Sequence, residues 1–384
     1  MLGSLDLGRM GVAFATSFGA CGLFIGTRGW HIRHTSRQQD VTAVQAAHEV
    51  PTPRIGGVAL AFSMAVVLLY LVPESLRPTT MLFALTCLPV FLAGVAEDLG
   101  HGVSPGGRLL AAAISSALAV ALLGQWIEGT GLPLFGWIFG VPVAAILLTV
   151  LWTSGLCHAF NLIDGVNGLA SGVAILLALA LAGIARQAGD PLLASMIVML
   201  IGALLGFFVC NWPYGKIFLG DGGAYTIGHV LGWLAIILAG RNPQFSVAAM
   251  VLLFFWPVAD TLFAIWRRIA RKRPTYLPDQ LHYHQVVMRG LEILCLGRGR
   301  RSLANALTAP ILLPFAGAPM LAGFLLWDRP EAALAALLIF GIAFVASYTA
   351  LVRFLYHRGR TPIFRARLGP LAQQGAPASS RVSR

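Results

Sequence analysis

Charged residues are scarce in this chain: they make up 11% of its 384 residues, where a soluble domain carries about 25%. Hydrophobic residues reach 57%, so neither a soluble globular domain nor a disordered polar chain fits. No long polar stretch is left for a separate aqueous catalytic domain. Cysteine is sparse too. Cys21, Cys87, Cys157, Cys210 and Cys295 show no paired spacing, which argues against a disulfide framework or a zinc site. They read as small buried hydrophobes. The first apolar run lacks a small-residue cleavage site, because Gly26-Thr-Arg-Gly-Trp-His31 follows it, and it reads as a retained span rather than a signal peptide.

Long apolar runs are abundant instead. Crossing the hydrocarbon takes about 20 apolar residues per helix. Such runs stand near 10–28, 55–73, 79–96, 108–124, 137–156, 168–185, 191–210, 224–240, 244–266, 303–327 and 331–355. The expected fold is all-α: a polytopic membrane protein of about eleven spans, one unit over 1–360. The segment 361–384, rich in Pro, Gln, Ala and Ser, is expected to be a disordered basic tail.

The formal charge of +12 is distributed unevenly. The gaps 28–54, 97–108, 157–167, 211–223 and 267–302, with the tail from 353, hold 22 of the 27 lysines and arginines. The alternate gaps hold only Arg9, Arg77, Arg186, Arg241 and Arg329. By the positive-inside rule the first set is expected in the cytoplasm, with the N-terminus outside and the C-terminus inside. An odd number of spans agrees with that arrangement. The excess positive charge therefore points to membrane lipids, with no nucleic acid as partner.

The reactive residues fall in the basic gaps. Glu97-Asp98 ends an apolar run, where two acids oppose the helix dipole and repel each other. Such a pair suits a divalent cation or a proton. Asn161-Leu-Ile-Asp-Gly-Val-Asn-Gly168 spaces Asn161, Asp164 and Asn167 by three, which puts their oxygens on one face if the segment is helical. If it is a turn, Gly165 and Gly168 let the backbone approach a phosphate. Asn211-Trp-Pro-Tyr-Gly-Lys-Ile-Phe-Leu-Gly-Asp-Gly-Gly223 sets Asp221 between glycines before the next run, where it can also cap a helix. His282, His284 and Arg289 suit a diphosphate. Asp260, inside a run, is a functional candidate, with pairing to Arg267 or a helix neighbour as the structural alternative. His31 and His34 have a metal-like spacing but no third ligand nearby. Oxygen ligands among cations favour Mg²⁺ over zinc, and Mg²⁺ with cations serves phosphoryl transfer.

Taken in order, Pro51-Thr-Pro-Arg-Ile-Gly-Gly57, Glu97-Asp98, Asn161 to Gly168, Phe218-Leu-Gly-Asp-Gly222 and His282-Tyr-His284 resemble the polyprenyl-phosphate N-acetylhexosamine-1-phosphate transferases, over roughly residues 28 to 300. That superfamily also holds the phospho-N-acetylmuramoyl-pentapeptide transferase and the eukaryotic dolichyl-phosphate enzyme. The resemblance implies attack of undecaprenyl phosphate on a UDP-N-acetyl amino sugar, release of UMP and a lipid-diphosphate sugar in the cytoplasmic leaflet of a bacterial inner membrane. It implies Mg²⁺, with Mn²⁺ as the alternative ion, on Asp221 and Asn161. Asp98 would engage the lipid phosphate or the metal, and Asp164 matches the family's acidic position after the asparagine. Asn167 and Asn211 would face the nucleotide, and His282 and His284 would hold the diphosphate. Arg54, in the first motif, and Arg289 join the substrate-binding set. Two positions depart from the family pattern: Glu97 stands where aspartate is usual, and Gln285 replaces a frequent histidine. The reading allows a homodimer. A transporter or flippase of lipid-linked sugars is the competing class, but it predicts ionisable groups near the midplane and a repeated half. A CDP-alcohol phosphotransferase resembles the chain less, because no Ala-Arg and spaced aspartate pair follow Asp164-Gly165.

Overall fold

The computed structural model describes residues 4–35, 52–129, 141–272 and 281–359. The expected tail 361–384 lies outside the described residues. All regular structure among those described is helical, with no strand. The helices are α1 (Ser4–Gly26), α2 (Arg28–Thr35), α3 (Gly56–Val66, prolonged by a π turn Val67–Leu71), α4 (Arg77–Asp98), α5 (Pro105–Leu123), α6 (Pro142–Ile163) and α7 (Leu169–Gln187). They continue with α8 (Pro191–Asn211), α9 (Gly220–Arg241), α10 (Val247–Leu253), α11 (Phe255–Ala270), α12 (Tyr283–Leu291), α13 (Arg301–Leu325) and α14 (Pro330–Gly359).

Local chemistry sets the helix starts. Proline opens α5, α6, α8 and α14, where its missing N–H goes unused. Ser104 accepts from Gly107 N at 3.1 Å, and Asp190 accepts from Leu193 N at 3.0 Å. Gly124, left-handed at φ 61°, ends α5.

Among the described residues, nine helices are long and apolar enough to cross a membrane, and a tenth is counted if a bent pair is one span. That pair is α10 and α11, which meet at 83°. Pro257 explains the break: it has no N–H to give the carbonyl four residues earlier, at Leu253. The run at 55–73 forms a shorter apolar helix, Gly56–Leu71. All eleven expected runs are thus helical where described, but one is bent and one is short.

The middle of the bundle is α7, α8 and α9; α9 is 78% buried over its apolar stretch, whereas α14 is 11% buried. Glycines bring backbones together around α9. A Cβ on Gly57 would strike the backbone at Gly223, and one on Gly94 would strike that at Gly222. On the far side, Gly202 and Gly206 of α8 let α1 approach at Met10 and Phe14. Small residues permit this closeness in apolar bundles.

Polar groups then gather at the two ends. At one end Asp6 receives Ser195 Oγ at 2.6 Å and faces Arg186 at 3.7 Å, while Arg241 donates to Asp190 at 2.7 Å. The ends of α4, α6 and α8 and the starts of α5, α7 and α9 meet at the other. The start of α1 lies at the first end, and the last turns of α14 reach α12 at the second, where Leu355 packs on Gly290.

Gly94→Val should push α4 off α9 and destabilise the fold by about 1–3 kcal/mol. Thermal unfolding in detergent should show a lower Tm than for Gly19→Val, a position with open space around it.

Candidate active site at one end of the bundle

The site is organised by the first turn of α9. Gly220 is left-handed at φ 74° and packs against Asp98 and the Arg54 carbonyl, leaving no room for a side chain. Asp98, at the last turn of α4, accepts from Asp221 N and Gly222 N at 2.9 Å each. The acid that opposes its own helix dipole therefore satisfies the N-terminus of another helix.

Asp221 is buried and held on three sides. Arg54 Nη2 donates to its Oδ1 at 3.1 Å, Asn161 Nδ2 donates to the same oxygen at 3.0 Å, and Arg108 Nη1 donates to Oδ2. Arg54 Nε also lies 3.4 Å from Asp98. Backbone pairing fixes Arg54: Phe218 N donates to Pro53 O at 2.9 Å, and Gly56 N and Gly57 N donate to Phe218 O and Leu219 O at 2.8 Å each. The motifs around 51–57 and 218–222 are thus one folded unit. Glu97 lies within electrostatic reach of Arg108 and Tyr225.

The segment 161–168 is both helix and turn. Asn161 belongs to the last turn of α6, whereas Asp164 begins the turn into α7. Asp164 N donates to Asn161 O at 3.3 Å, but its carboxylate makes no hydrogen bond or ion pair among the described residues. Burial pushes its carboxyl well above the ordinary range; Arg54 opposes this, and the neighbouring Asp221 and Asp98 add to it. Asn167 N donates to Asn305 Oδ1 at 2.8 Å, and Asn167 Nδ2 donates to Pro213 O at 2.9 Å. Asn211 bridges two loops, accepting from Gly168 N at 2.7 Å and donating to Ile217 O at 2.8 Å. Asn211 thereby ties the 161–168 turn to the loop leading to Asp221, while Asn167 leaves its Oδ1 unpartnered and buried.

The histidine motif arrives from α12. His282 Nδ1 lies 2.8 Å from Asp260 Oδ2, and Tyr283 N donates to Asp260 Oδ1 at 3.0 Å. Asp260 thus pairs with His282 rather than Arg267, which donates to Tyr348 Oη at 3.2 Å. Gln285, in place of a histidine, caps α12 by accepting from His282 N at 3.3 Å. His284 stacks on His282 with ring centroids 5.8 Å apart and fills the space beside Gly165. Burial lowers its pKa to about 4; Asp260 opposes the shift and His282 adds to it. Arg289 is half-buried in the last turn of α12.

The first four motifs meet through direct bonds, and the fifth joins them where His284 meets Gly165. Sequence reasoning missed Arg108, treating it only as a topology-setting charge. Its signal was a lone cation opening an apolar helix directly after the acidic pair. Asn305 was also missed, and its place within an apolar run was the available clue.

The donor set is chemically hard. Among the described residues no group of three or more His, Cys, Asp or Glu side chains forms a metal cage. A Mg²⁺ ion takes one or two carboxylates and completes its shell with water and substrate phosphates. Asp221, Asn161 and the unpaired Asp164 fit that requirement.

Acids, arginines and amides gathered at one end of an all-helical apolar bundle form a polar site suited to phosphate groups. The profile of glycosyl transferase family 4 matches residues 80–239. A decaprenyl-phosphate N-acetylglucosaminephosphotransferase of Mycolicibacterium smegmatis is 31% identical over 283 residues, covering 66% of this chain and 68% of the relative. A probable undecaprenyl-phosphate N-acetylglucosaminyl 1-phosphate transferase of Bacillus subtilis is 29% identical over 65% of this chain and 69% of its own length. A phospho-N-acetylmuramoyl-pentapeptide-transferase of Limosilactobacillus reuteri is 27% identical over 62% of this chain and 76% of its own length. The chain belongs to the polyprenyl-phosphate N-acetylhexosamine-1-phosphate transferases of glycosyl transferase family 4, and it is a multi-pass membrane protein.

His284 gives the fold a pH dependence. Its pKa of about 4 lies below the ordinary 6.5, so between these values the unfolded chain binds the extra proton. Stability should fall as pH drops through that window. Thermal unfolding between pH 7 and pH 4.5 should show the decline, and His284→Asn should flatten it.

Proposed function

We propose that the protein transfers a sugar-1-phosphate from a UDP-N-acetylhexosamine to undecaprenyl phosphate, releasing UMP. A terminal phosphate oxygen of the lipid attacks the sugar-linked phosphorus. One P–O bond forms, the anhydride bond to UMP breaks, and the electron pair leaves on UMP. The observation that carries this reading is the meeting of Asp98, Asp164 and Asp221 with Arg54 and Arg108 at one end of an apolar bundle. There a lipid phosphate can arrive from the bilayer and a nucleotide from water.

The residues divide the work. Asp98 has both oxygens on backbone amides, so it acts by holding Asp221. Asp221 and Asn161 would hold Mg²⁺ or Mn²⁺, with Asp164 facing them; when bound, the ion neutralises charge on the diphosphate. Arg54 and Arg108 would turn from Asp221 to phosphate oxygens, where guanidinium forks bind well. Asn167, with its free Oδ1, is placed for the nucleotide, and His282 and His284 flank the diphosphate. Glu97 adds negative charge beside Arg108, and Arg289 supplies a further cation on α12.

The bias of basic residues supports a cytoplasmic site in a bacterial inner membrane, with the N-terminus outside. UDP-GlcNAc and 6-deoxy amino sugars are both consistent with this reading. The product would begin a cell-envelope polysaccharide such as O-antigen, capsule, teichoic acid or common antigen. A flippase is the weaker reading, because the acids crowd one end of the bundle rather than its midplane.

Purified protein supplied with undecaprenyl phosphate, Mg²⁺ and a panel of UDP-N-acetyl sugars should release UMP and form a lipid-linked sugar. No product with any sugar from a folded preparation would count against the reading. Asp221→Asn should lower turnover by about 100-fold or more while leaving the fold intact, since charge stabilisation of this kind contributes several kcal/mol to phosphoryl transfer.

A further inference from the structure

Asp260 is 1% exposed, within a helix of an apolar bundle, and the transfer described above gives it no task. A buried carboxylate in such a place demands partners. It has two, and both belong to the histidine motif: Oδ2 faces His282 Nδ1 at 2.8 Å, and Oδ1 accepts from Tyr283 N at 3.0 Å. One side chain of α11 therefore fixes the ring and the backbone at the entry to α12. The second support is separate. Arg267 donates to Tyr348 Oη at 3.2 Å, and that hydroxyl donates to Leu281 O at 2.8 Å. Trp256 and Phe344 enclose the Tyr283 ring at centroid distances of 5.0 and 5.3 Å.

We propose that Asp260 is a positioning residue for the transfer, acting through His282. By accepting the Nδ1 proton it fixes the imidazole tautomer and leaves Nε2 as the free ring nitrogen. The same carboxylate holds the Tyr283 amide, so the ring cannot turn without disturbing the start of α12. His282 then stacks on His284, and His284 rests against Gly165, next to Asp164. A packed line thus runs from the bent helix α11 to the acidic turn and sets the distance between the histidines and the carboxylates. The unbroken helix expected at 244–266 would not place Asp260 in this way; the 83° bend between α10 and α11 directs α11 towards α12.

The inference rests on the proposed transfer reaction, and a double-mutant cycle tests it. UMP release is measured for the wild type, Asp260→Asn, His282→Ala and the double variant, with Tm recorded for each. Asp260→Asn should lower kcat by about 10- to 100-fold, as loss of an orienting partner commonly does. The KM for the UDP-sugar should stay within about twofold. In the His282→Ala background, the same change should cost less than about twofold, because the group it orients is gone. Equal losses in both backgrounds, or wild-type kcat in Asp260→Asn, would overturn the positioning role while leaving the transfer reading standing. A folded wild type that releases no UMP with any sugar would remove the transfer reading and this inference with it. Asp260→Glu separates orientation from mere burial. It should recover part of kcat if the carboxylate–imidazole bond is what matters, and recovery no greater than with Asn would count against the proposal.

Discussion

A carboxylate on one helix capping the start of another is the contact on which the site depends. Asp98 ends α4, where its own helix dipole disfavours it, yet it lies on the two backbone N–H groups that open α9. Hydrogen bonds to a charged group contribute about 1.5–3 kcal/mol each, and the aligned peptide dipoles of α9 add to them. The contact forms only because Gly94, Gly220 and Gly222 carry no side chains. With Asp98 so placed, Asp221 projects from a fixed turn towards Arg54, Arg108 and Asn161. Exchange of Asp98 would release the turn as well as remove a charge.

The remaining acids are best seen as a balance of charge in a poorly hydrated place. Asp221 is neutralised by two arginines, Asp98 is held by amides and Arg54, and Asp260 is hydrogen-bonded by His282 and the Tyr283 amide. The Asp164 carboxylate has no such partner among the described residues, and burial, with two other carboxylates nearby, pushes its pKa up. A site with one carboxylate lacking an ion-pair partner and two guanidinium groups is prepared for a ligand that brings both a cation and phosphates. Mg²⁺ with a nucleotide diphosphate is such a ligand. Two groups of elements then frame it: α4, α5 and α9, with the segment leading into α3 and the turn after α6, supply the carboxylates and arginines, and α12 with the residue before it supplies the histidines. α11 packs on α6, and His284 reaches Gly165 beside Asp164.

Much of this was legible in the chain. Apolar runs gave the helices, since a segment of about 20 apolar residues has few other folds open to it. The spacing of Asn161, Asp164 and Asn167 suggested shared chemistry, but the helix ends at Ile163, so Asn161 and Asp164 reach the site from different backbone conformations. Hydropathy could not show the bend at Phe254, because an apolar run reads alike whether straight or folded; Pro257 was the only local sign. Arg108 looked like a topological charge, because one cation at a helix start has that role more often than a site role. The purpose of Glu97-Asp98 was hidden as well: its receptor, the start of α9, lies more than 120 residues away, and no local pattern reports such a contact. Asp260 was noticed for its cost, but its partner depended on the same bend.

The most direct measurement is a cryo-EM structure with Mg²⁺ and a UDP-N-acetyl sugar bound. The account predicts the metal on Asp221 and Asn161, with the diphosphate reached by Arg54 and Arg108 and flanked by His282. A nucleotide lodged away from the start of α9, with Arg54 and Arg108 still closed on Asp221, would contradict it.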